Sequence, residues 1–460
     1  MRRILALAVF LLGLCLAPPA AGRVVVLQKP GPSLAEGPEL IRHRVAWSQE
    51  RCVRGCGIDF PSEVAHVYEV RLAGARGAGQ RIFRARTSGA FSGPNFAYDR
   101  YSFLLSEQVL VTVRHQRSGD ELTGESGGVS VRAGPPGSAR EVLSHCVLAP
   151  SFDALTPLAL DGSRLVFDPS PCDGVSRFVL RDFATGATQA LPDSAGHVSG
   201  IRLRGRFAAW VESDGMVARL VVHDLAAGTM AYSSPVSRVA DFDLGANGSV
   251  ALLSGDPRRP CGTGRLLRYS VAAPTAADLG PACATSVRID AGRIVFLGWE
   301  GITRTLRIVG PEGAAQDLVR FGRVRSGAFD FEGDQLAWAS RECGGGVAIL
   351  KLPLSDLPLG DRSIKCPARF RSGTVPVRRG VATVRLRCPR GCGGEVILRH
   401  MGRRKFSIYR AGGDVRVRLS RRARSRVERR GSLQALAKIV TYNRAGDRQA
   451  RSRAVTLVTR

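Results

Sequence analysis

A column of large apolar residues recurs through the middle of this 460-residue chain: Phe167, Trp210, Leu253, Phe296 and Trp338, at spacings of 43, 43, 43 and 42 residues. Glycines keep near step just upstream, at Gly162, Gly205, Gly248, Gly292 and Gly333. Each glycine opens a short apolar run, so the recurring unit is a turn followed by a strand. A period of about 40–45 residues is the length of one four-stranded propeller blade. Such a unit cannot bury its apolar faces alone and is stable only against neighbouring copies.

One period can be followed strand by strand. Alternation in Val239–Leu244 predicts a strand, Gly245 to Gly248 a turn, Val250–Leu253 a returning strand, Arg265–Val271 a third and Ala276–Leu279 a short fourth. The same order surrounds Gly162, with Ser176–Arg181 as third strand and a turn at Asp182–Gly186, and Gly205, with Ala218–His223 and a turn at Asp224–Gly228. Two more units lie upstream, where Trp47 and Phe103 extend the column at gaps of 56 and 64 residues. Their extra length is expected between strands two and three, in Gln49–Val64 and His115–Gly128. Seven blades result. Val24–Leu27 is expected to add a strand to the last blade beside Val347–Leu352, closing the ring and removing its open edges.

The run Asp161-Gly162-Ser163-Arg164-Leu165-Val166-Phe167, followed by Asp182 to Gly186, resembles the repeat of TolB-like, WD40-like β-propellers. The likeness extends loosely from about Glu39 to Leu357. Other copies depart from the pattern: Arg204 precedes Gly205, Ala291 precedes Gly292, and the Trp47 and Phe103 units lack the Asp-Gly pair. The resemblance implies the fold, and a range of roles from partner binding to accessory domains of peptidases.

The repeat stops near Pro358. Beyond it, Val375–Val377, Ala382–Cys388, Glu395–Arg399, Phe406–Tyr409, Val415–Leu419, Leu433–Thr441 and Ala454–Val458 read as about seven strands, a number suited to a small β-sandwich. Alternation in Val384–Arg387 and Val415–Leu419 turns arginines to one face. Ser420–Arg430 is a charged connection with room for one helical turn. This part resembles the immunoglobulin-like modules that close many exported bacterial proteins. The fold class is therefore all-β, with a signal peptide at 1–22, a seven-bladed propeller at 23–358 and a basic sandwich at 359–460.

Arg2 and Arg3, the 13-residue apolar run Ile4–Leu16 and the small residues up to Gly22 mark the export signal. The run is too short to span a membrane, and no later segment is long and apolar enough to do so. Leu14 sits where a small residue precedes a lipidated cysteine, which argues against an anchor at Cys15. Ten cysteines remain after cleavage, an even number that suits disulfides in an exported chain. Sequence neighbours pair Cys52 with Cys56, Cys146 with Cys172 and Cys261 with Cys283. Cys343, Cys366, Cys388 and Cys392 allow three pairings, with Cys388–Cys392 preferred. A zinc site from Cys366, Cys388, Cys392 and His400 is the weaker alternative.

Charge is divided unevenly. Residues 361–460 hold 28 Lys plus Arg against 5 Asp plus Glu, so most of the net +28 belongs to the tail. Arg421, Arg422, Arg424, Arg426, Arg429 and Arg430 are the candidate contacts to an anionic partner, such as a wall polymer or lipid headgroups. The competing explanation is coding bias, since these cations are nearly all arginine. Aromatics for base stacking are few, which argues against nucleic acid.

Catalytic signatures are weak. Gly124-Glu125-Ser126-Gly127-Gly128 has the G-x-S-x-G form, but leads into a strand rather than joining strand to helix. The seven histidines form no metal motif. Asp241, Asp243, Asp290 and Asp330, on innermost strands of three consecutive blades, are channel candidates. They could hold a cation or act as acid and base, or pair with Arg202, Arg288 and Arg325. No cofactor is implied. The expected role is non-catalytic binding of a protein or glycan at the cell envelope; the alternative is a propeller hydrolase or lyase using the channel carboxylates.

Overall fold

The computed structural model describes residues 25–31, 37–54, 63–74, 79–92, 95–120, 124–135, 140–144, 158–168, 177–192, 194, 196–213, 217–256, 261–300, 303–310, 313–321, 328–340, 343, 347–357, 366, 368–388, 392–408, 412–443 and 448–459. Residues 1–22 and Cys56, Cys146, Cys172 and Arg325 lie outside them, so the expected export signal and two of the expected disulfides do too.

Seven antiparallel blades follow the chain. Blades three to six are separate four-stranded sheets in sequential order, beginning at Leu158–Asp161, His197–Arg204, Val239–Leu244 and Ala284–Asp290. Blade seven contains Phe329–Glu332, Gln335–Ser340 and Val347–Pro353, and its fourth strand is Val25–Gly31 from the other end of the chain, paired antiparallel to Val347–Pro353. The ring closes as the sequence predicts.

The recurring glycines earn their place at the tip of the first hairpin. Gly162, Gly205 and Gly333 have φ of 59°, 55° and 57°, a conformation that costs other residues roughly 1–2 kcal/mol. Blade one makes the same turn with Arg42 at φ 53°, which is why no Asp-Gly pair marks it.

Seven apolar clusters fill the seven interfaces between adjacent blades. Trp47, Phe167, Trp210, Phe296 and Trp338 each point from a second strand toward the preceding blade. Two expected members of the column do not. The loop Gly245–Ser249 shifts blade five by one residue, so Leu253 packs toward blade six and Leu252 takes the column's place; a one-residue slip turns a strand's side chains to the other face. Phe103 lies on the innermost strand of blade two, opposite Thr112 of the second strand, and fills the interface with blade one from there.

Blades one and two differ from the others. Their strands Arg44–Arg54, Glu63–Ala73, Gln80–Ser92, Asn95–Leu105, Leu110–Asp120 and Gly124–Gly134 run to 11–13 residues. Pairing between Gly89–Ser92 and Asn95–Tyr98 fuses the two blades into one eight-stranded sheet. Much of the insertion length expected in connections is thus strand.

The tail strands Arg369–Phe370, Thr374–Arg378, Val381–Arg387, Cys392–Leu398, Gly402–Ile408, Gly412–Arg418, Ser432–Tyr442 and Arg448–Thr459 form one hydrogen-bonded sheet. It is curled around a single core that includes Val384, Leu386, Val396, Val417, Ile439 and Leu457. The expected sandwich is therefore continuous, joined at the Thr374–Arg378/Val381–Arg387 hairpin. The connection after Leu419 is a ten-residue helix, Arg421–Arg430, rather than one turn. Ser420 caps its start by accepting from Ala423 N, Gly431 ends it at φ 68°, and Ala423 and Val427 are its buried stripe.

Three disulfides are present among the described residues: Cys261–Cys283, Cys388–Cys392 and Cys343–Cys366. The last resolves the open pairing and ties blade seven to the tail, where Gly393 N also donates to Cys343 O at 2.7 Å. These pairings consume the thiolates that a Cys366, Cys388, Cys392 and His400 zinc site would need.

Two substitutions test the packing. Trp338, fully buried, should cost about 3–5 kcal/mol when replaced by alanine, read as a lowered denaturation midpoint. A Cβ at Gly79 would clash with the indole ring of Trp47 at Cη2. Gly79→Ala is therefore expected to destabilise, and Trp47 fluorescence should change with it; an unaltered melt and spectrum would contradict this contact.

Candidate functional site

The channel side of the ring is built from the innermost strands, whose polar residues reach across to the next blade. Asp241 and Asp243 of blade five accept from Val287 N at 3.0 Å and Ile289 N at 2.8 Å of blade six. Asp290 of blade six accepts from Gly333 N of blade seven at 2.6 Å. Asp330 of blade seven accepts from Leu40 N of blade one at 2.6 Å, and Glu39 of blade one from Leu105 N of blade two at 3.2 Å. Asp161 of blade three accepts from Gly205 N of blade four at 2.7 Å. Arg202 Nε of blade four donates to Phe242 O of blade five at 3.1 Å, and Ser106 Oγ after blade two's first strand donates to Gly162 O of blade three. Every interface between consecutive blades carries such a staple.

Arginines neutralise the acids. Arg202 lies 3.2 Å from Asp241 Oδ1 and 3.8 Å from Asp243 Oδ1. Arg288 bridges Asp241 at 3.5 Å and Asp330 at 3.5 Å, while Arg204 binds Asp290 at 3.2 Å and Glu332 at 3.8 Å. Both oxygens of each of the four candidate aspartates therefore lie within reach of a donor. Burial pushes the Asp243 and Asp330 carboxyls above their ordinary value, with Arg288 pulling the other way. For Arg288 and Arg204, burial acts against the charge, but the surrounding carboxylates outweigh it and hold both guanidinium groups above their ordinary value.

The sequence placed Asp241, Asp243, Asp290 and Asp330 in one region, and the structure joins Asp241, Asp243 and Asp330 through Arg202 and Arg288; Asp290 belongs to the adjacent Arg204 pair. It missed Asp161, Glu39, Glu332 and Arg204. A signal for them exists: Asp161 and Glu332 directly precede a turn glycine, and Asp290 precedes Ala291-Gly292. Asp161 with Arg164 and Asp290 with Arg293 straddle equivalent turns. In each pair the acid accepts from the N–H of the next blade's turn glycine, and the arginine donates to that glycine's carbonyl.

Other candidates are placed as follows. Gly124 to Gly128 lie within the strand Gly124–Gly134, where Ser126 is paired opposite Ser118, so no strand-to-helix elbow forms. Among the described residues no three His, Cys, Asp or Glu side chains gather as a metal site. No helix among them is long and apolar enough to cross a membrane. Arg421, Arg422, Arg424, Arg426, Arg429 and Arg430 are all exposed on the tail helix. Of these, Arg424 is engaged by Glu428 at 2.8 Å.

No protein-family model and no curated protein matches the chain. Solved structures do match in fold. The β-propeller domain of the Trilobed protease from Pyrococcus furiosus is 11% identical, covering 63% of this chain and 91% of its own, with a TM-score of 0.39. TolB from Acinetobacter baumannii is 10% identical, covering 58% and 78%, with a TM-score of 0.29. A prolyl endopeptidase is 14% identical over 75% of this chain, with a TM-score of 0.44; the match spans 54% of that protein's length. The chain is a seven-bladed β-propeller followed by a separate curled sheet, with TolB among its structural neighbours.

Removing the shared cation tests the staple network. Arg288→Gln should destabilise by about 2–4 kcal/mol at neutral pH, because it leaves partly buried carboxylates unpaired. Carboxyls raised in the folded state bind protons more readily there than in the unfolded chain, so the deficit should narrow as pH falls from 7 toward 4. Denaturant unfolding of both proteins at the two pH values measures this; a deficit that widens in acid would refute the arrangement.

Proposed function

We propose that the protein is an exported, non-catalytic binding protein of the cell envelope. In this reading, cleavage near residue 22 leaves a propeller to about residue 358 that offers its surface to a protein or glycan. The basic domain at 359–460 holds the molecule to an anionic surface. The observation that carries the reading is the state of the tail's cations. Arg416, Arg418, Arg421, Arg422, Arg426, Arg429 and Arg430 are exposed and have no acidic partner among the described residues. Channel arginines, by contrast, are matched to acids. Unmatched surface charge is available to an external polyanion. The disulfides support export, and the engagement of every candidate channel carboxylate by a donor supports a structural rather than a proton-transferring role.

The test is binding of the full chain to vesicles with and without anionic lipid, and to anionic wall polymer, over a salt series. Affinity for the anionic surfaces should fall at least about tenfold between roughly 0.05 and 0.5 M salt. Salt-independent binding, or equal binding to neutral vesicles, would overturn it. Hydrolytic turnover that survives removal of the tail but is abolished in Asp330→Asn would support a hydrolase instead.

A further inference from the structure

The tail's cations are not evenly arranged, and the most ordered of them are not those of the helix. In Val381–Arg387 and Gly412–Arg418, Ala382, Val384, Leu386, Val415 and Val417 point into the core, at 3% exposure or less. The alternate positions Arg385, Arg387, Arg416 and Arg418 are exposed on the opposite face. Register sets them in rows: Arg387 is opposite Arg369 on one side, Arg385 opposite Asp414, Thr383 opposite Arg416, and Val381 opposite Arg418. Successive arginines along a strand are about 6.6 Å apart and the strands about 4.8 Å apart. Among the described residues of these two strands the face carries one acid, Asp414, whose 3.8 Å pair with Arg385 is exposed on both sides. An exposed pair of this kind is worth little and exchanges readily.

Resting on the envelope-binding reading, we infer that this face seats a linear polyphosphodiester, gripped by the ladder Arg369, Arg385, Arg387, Arg416 and Arg418. Like charges placed directly opposite across a sheet, as at Arg369 and Arg387, are destabilising, and the core requires only the inward residues. A repeat of anionic groups along the strand direction would relieve that repulsion. Each guanidinium can also offer its two-donor fork to a phosphate. The helix arginines are divided over the helix surface: Arg422, Arg426 and Arg429 share one side at i, i+4 and i+7 spacing, while Arg421 and Arg424 turn away from it and Arg424 is paired with Glu428. A bilayer is disfavoured because surface-binding elements insert apolar side chains. The tail's exposed large apolar residues, Leu436 and Tyr442, lie on Ser432–Tyr442, which is not part of this face. No aromatic residue stands among the ladder positions to stack a base, so the polymer's backbone is what is recognised.

The experiment compares the full-length chain with two variants of equal charge change. One carries Arg385→Gln, Arg387→Gln, Arg416→Gln and Arg418→Gln; the other carries Arg421→Gln, Arg422→Gln, Arg426→Gln and Arg429→Gln. Probes are poly(glycerol phosphate) and phosphatidylglycerol vesicles over a salt series. The ladder variant should bind the polymer at least about thirtyfold more weakly at low salt. Its log–log salt slope should be shallower by about 3, as expected for the loss of four phosphate contacts. The helix variant should stay within about threefold of the parent. Equal losses in both variants would reduce the effect to net charge and overturn the ladder, as would a ladder effect seen on vesicles but not on polymer. If the parent bound neither probe, the envelope-binding reading itself would fall. Thermal melts confirm folding, and Arg416→Gln/Arg418→Gln serves if the fourfold variant does not fold.

Discussion

Each blade of this propeller is apolar on both faces, and that constraint organises the rest of the molecule. In blade four, Ala208 and Trp210 face blade three while Phe207, Ala209 and Val211 face blade five. A sheet of that kind has no side that water can cover, so its hydrophobic energy is recovered only between two neighbours. Seven interfaces require a seventh contact between the first and last blades. That contact forms where Trp47 meets Ala337 and Ile349, and Val25–Gly31 completes the last blade beside it.

Apolar packing between twisted sheets is not directional enough to set their rotation. The channel-side staples supply direction. An acid such as Asp290 or Asp330 accepts from a particular backbone N–H of the next blade, which fixes the two innermost strands against each other. Arginines from the same strands pair with those acids, Arg204 with Asp290 and Arg288 with Asp330. The chain thus uses arginine in two ways: balanced by carboxylates inside the ring, and nearly unopposed on the tail.

Much of this was legible in one dimension. The column, the turn glycines and the closing N-terminal strand were all readable, because blade packing and hairpin turns impose residue types at set intervals. Errors arose where equal spacing hid unequal loops. Leu253 kept the period but lost the face because five residues, Gly245–Ser249, replace a two-residue turn. Phe103 matched the column in size while lying on a different strand. The helix Arg421–Arg430 exceeds the one turn expected, because arginines obscure its two-residue apolar stripe between the cap residues Ser420 and Gly431.

By itself, the sequence determined the all-β class, the repeat number, the strand-rich tail and the concentration of positive charge there, since each rests on periodicity or composition. Tertiary structure decided which acids meet which backbone groups, that Cys343 bonds Cys366, and which arginines share a plane. Those depend on contacts between residues dozens to hundreds of positions apart, as with Leu40 and Asp330. Only ring closure and sheet register bring such residues together, and no local pattern encodes that distance.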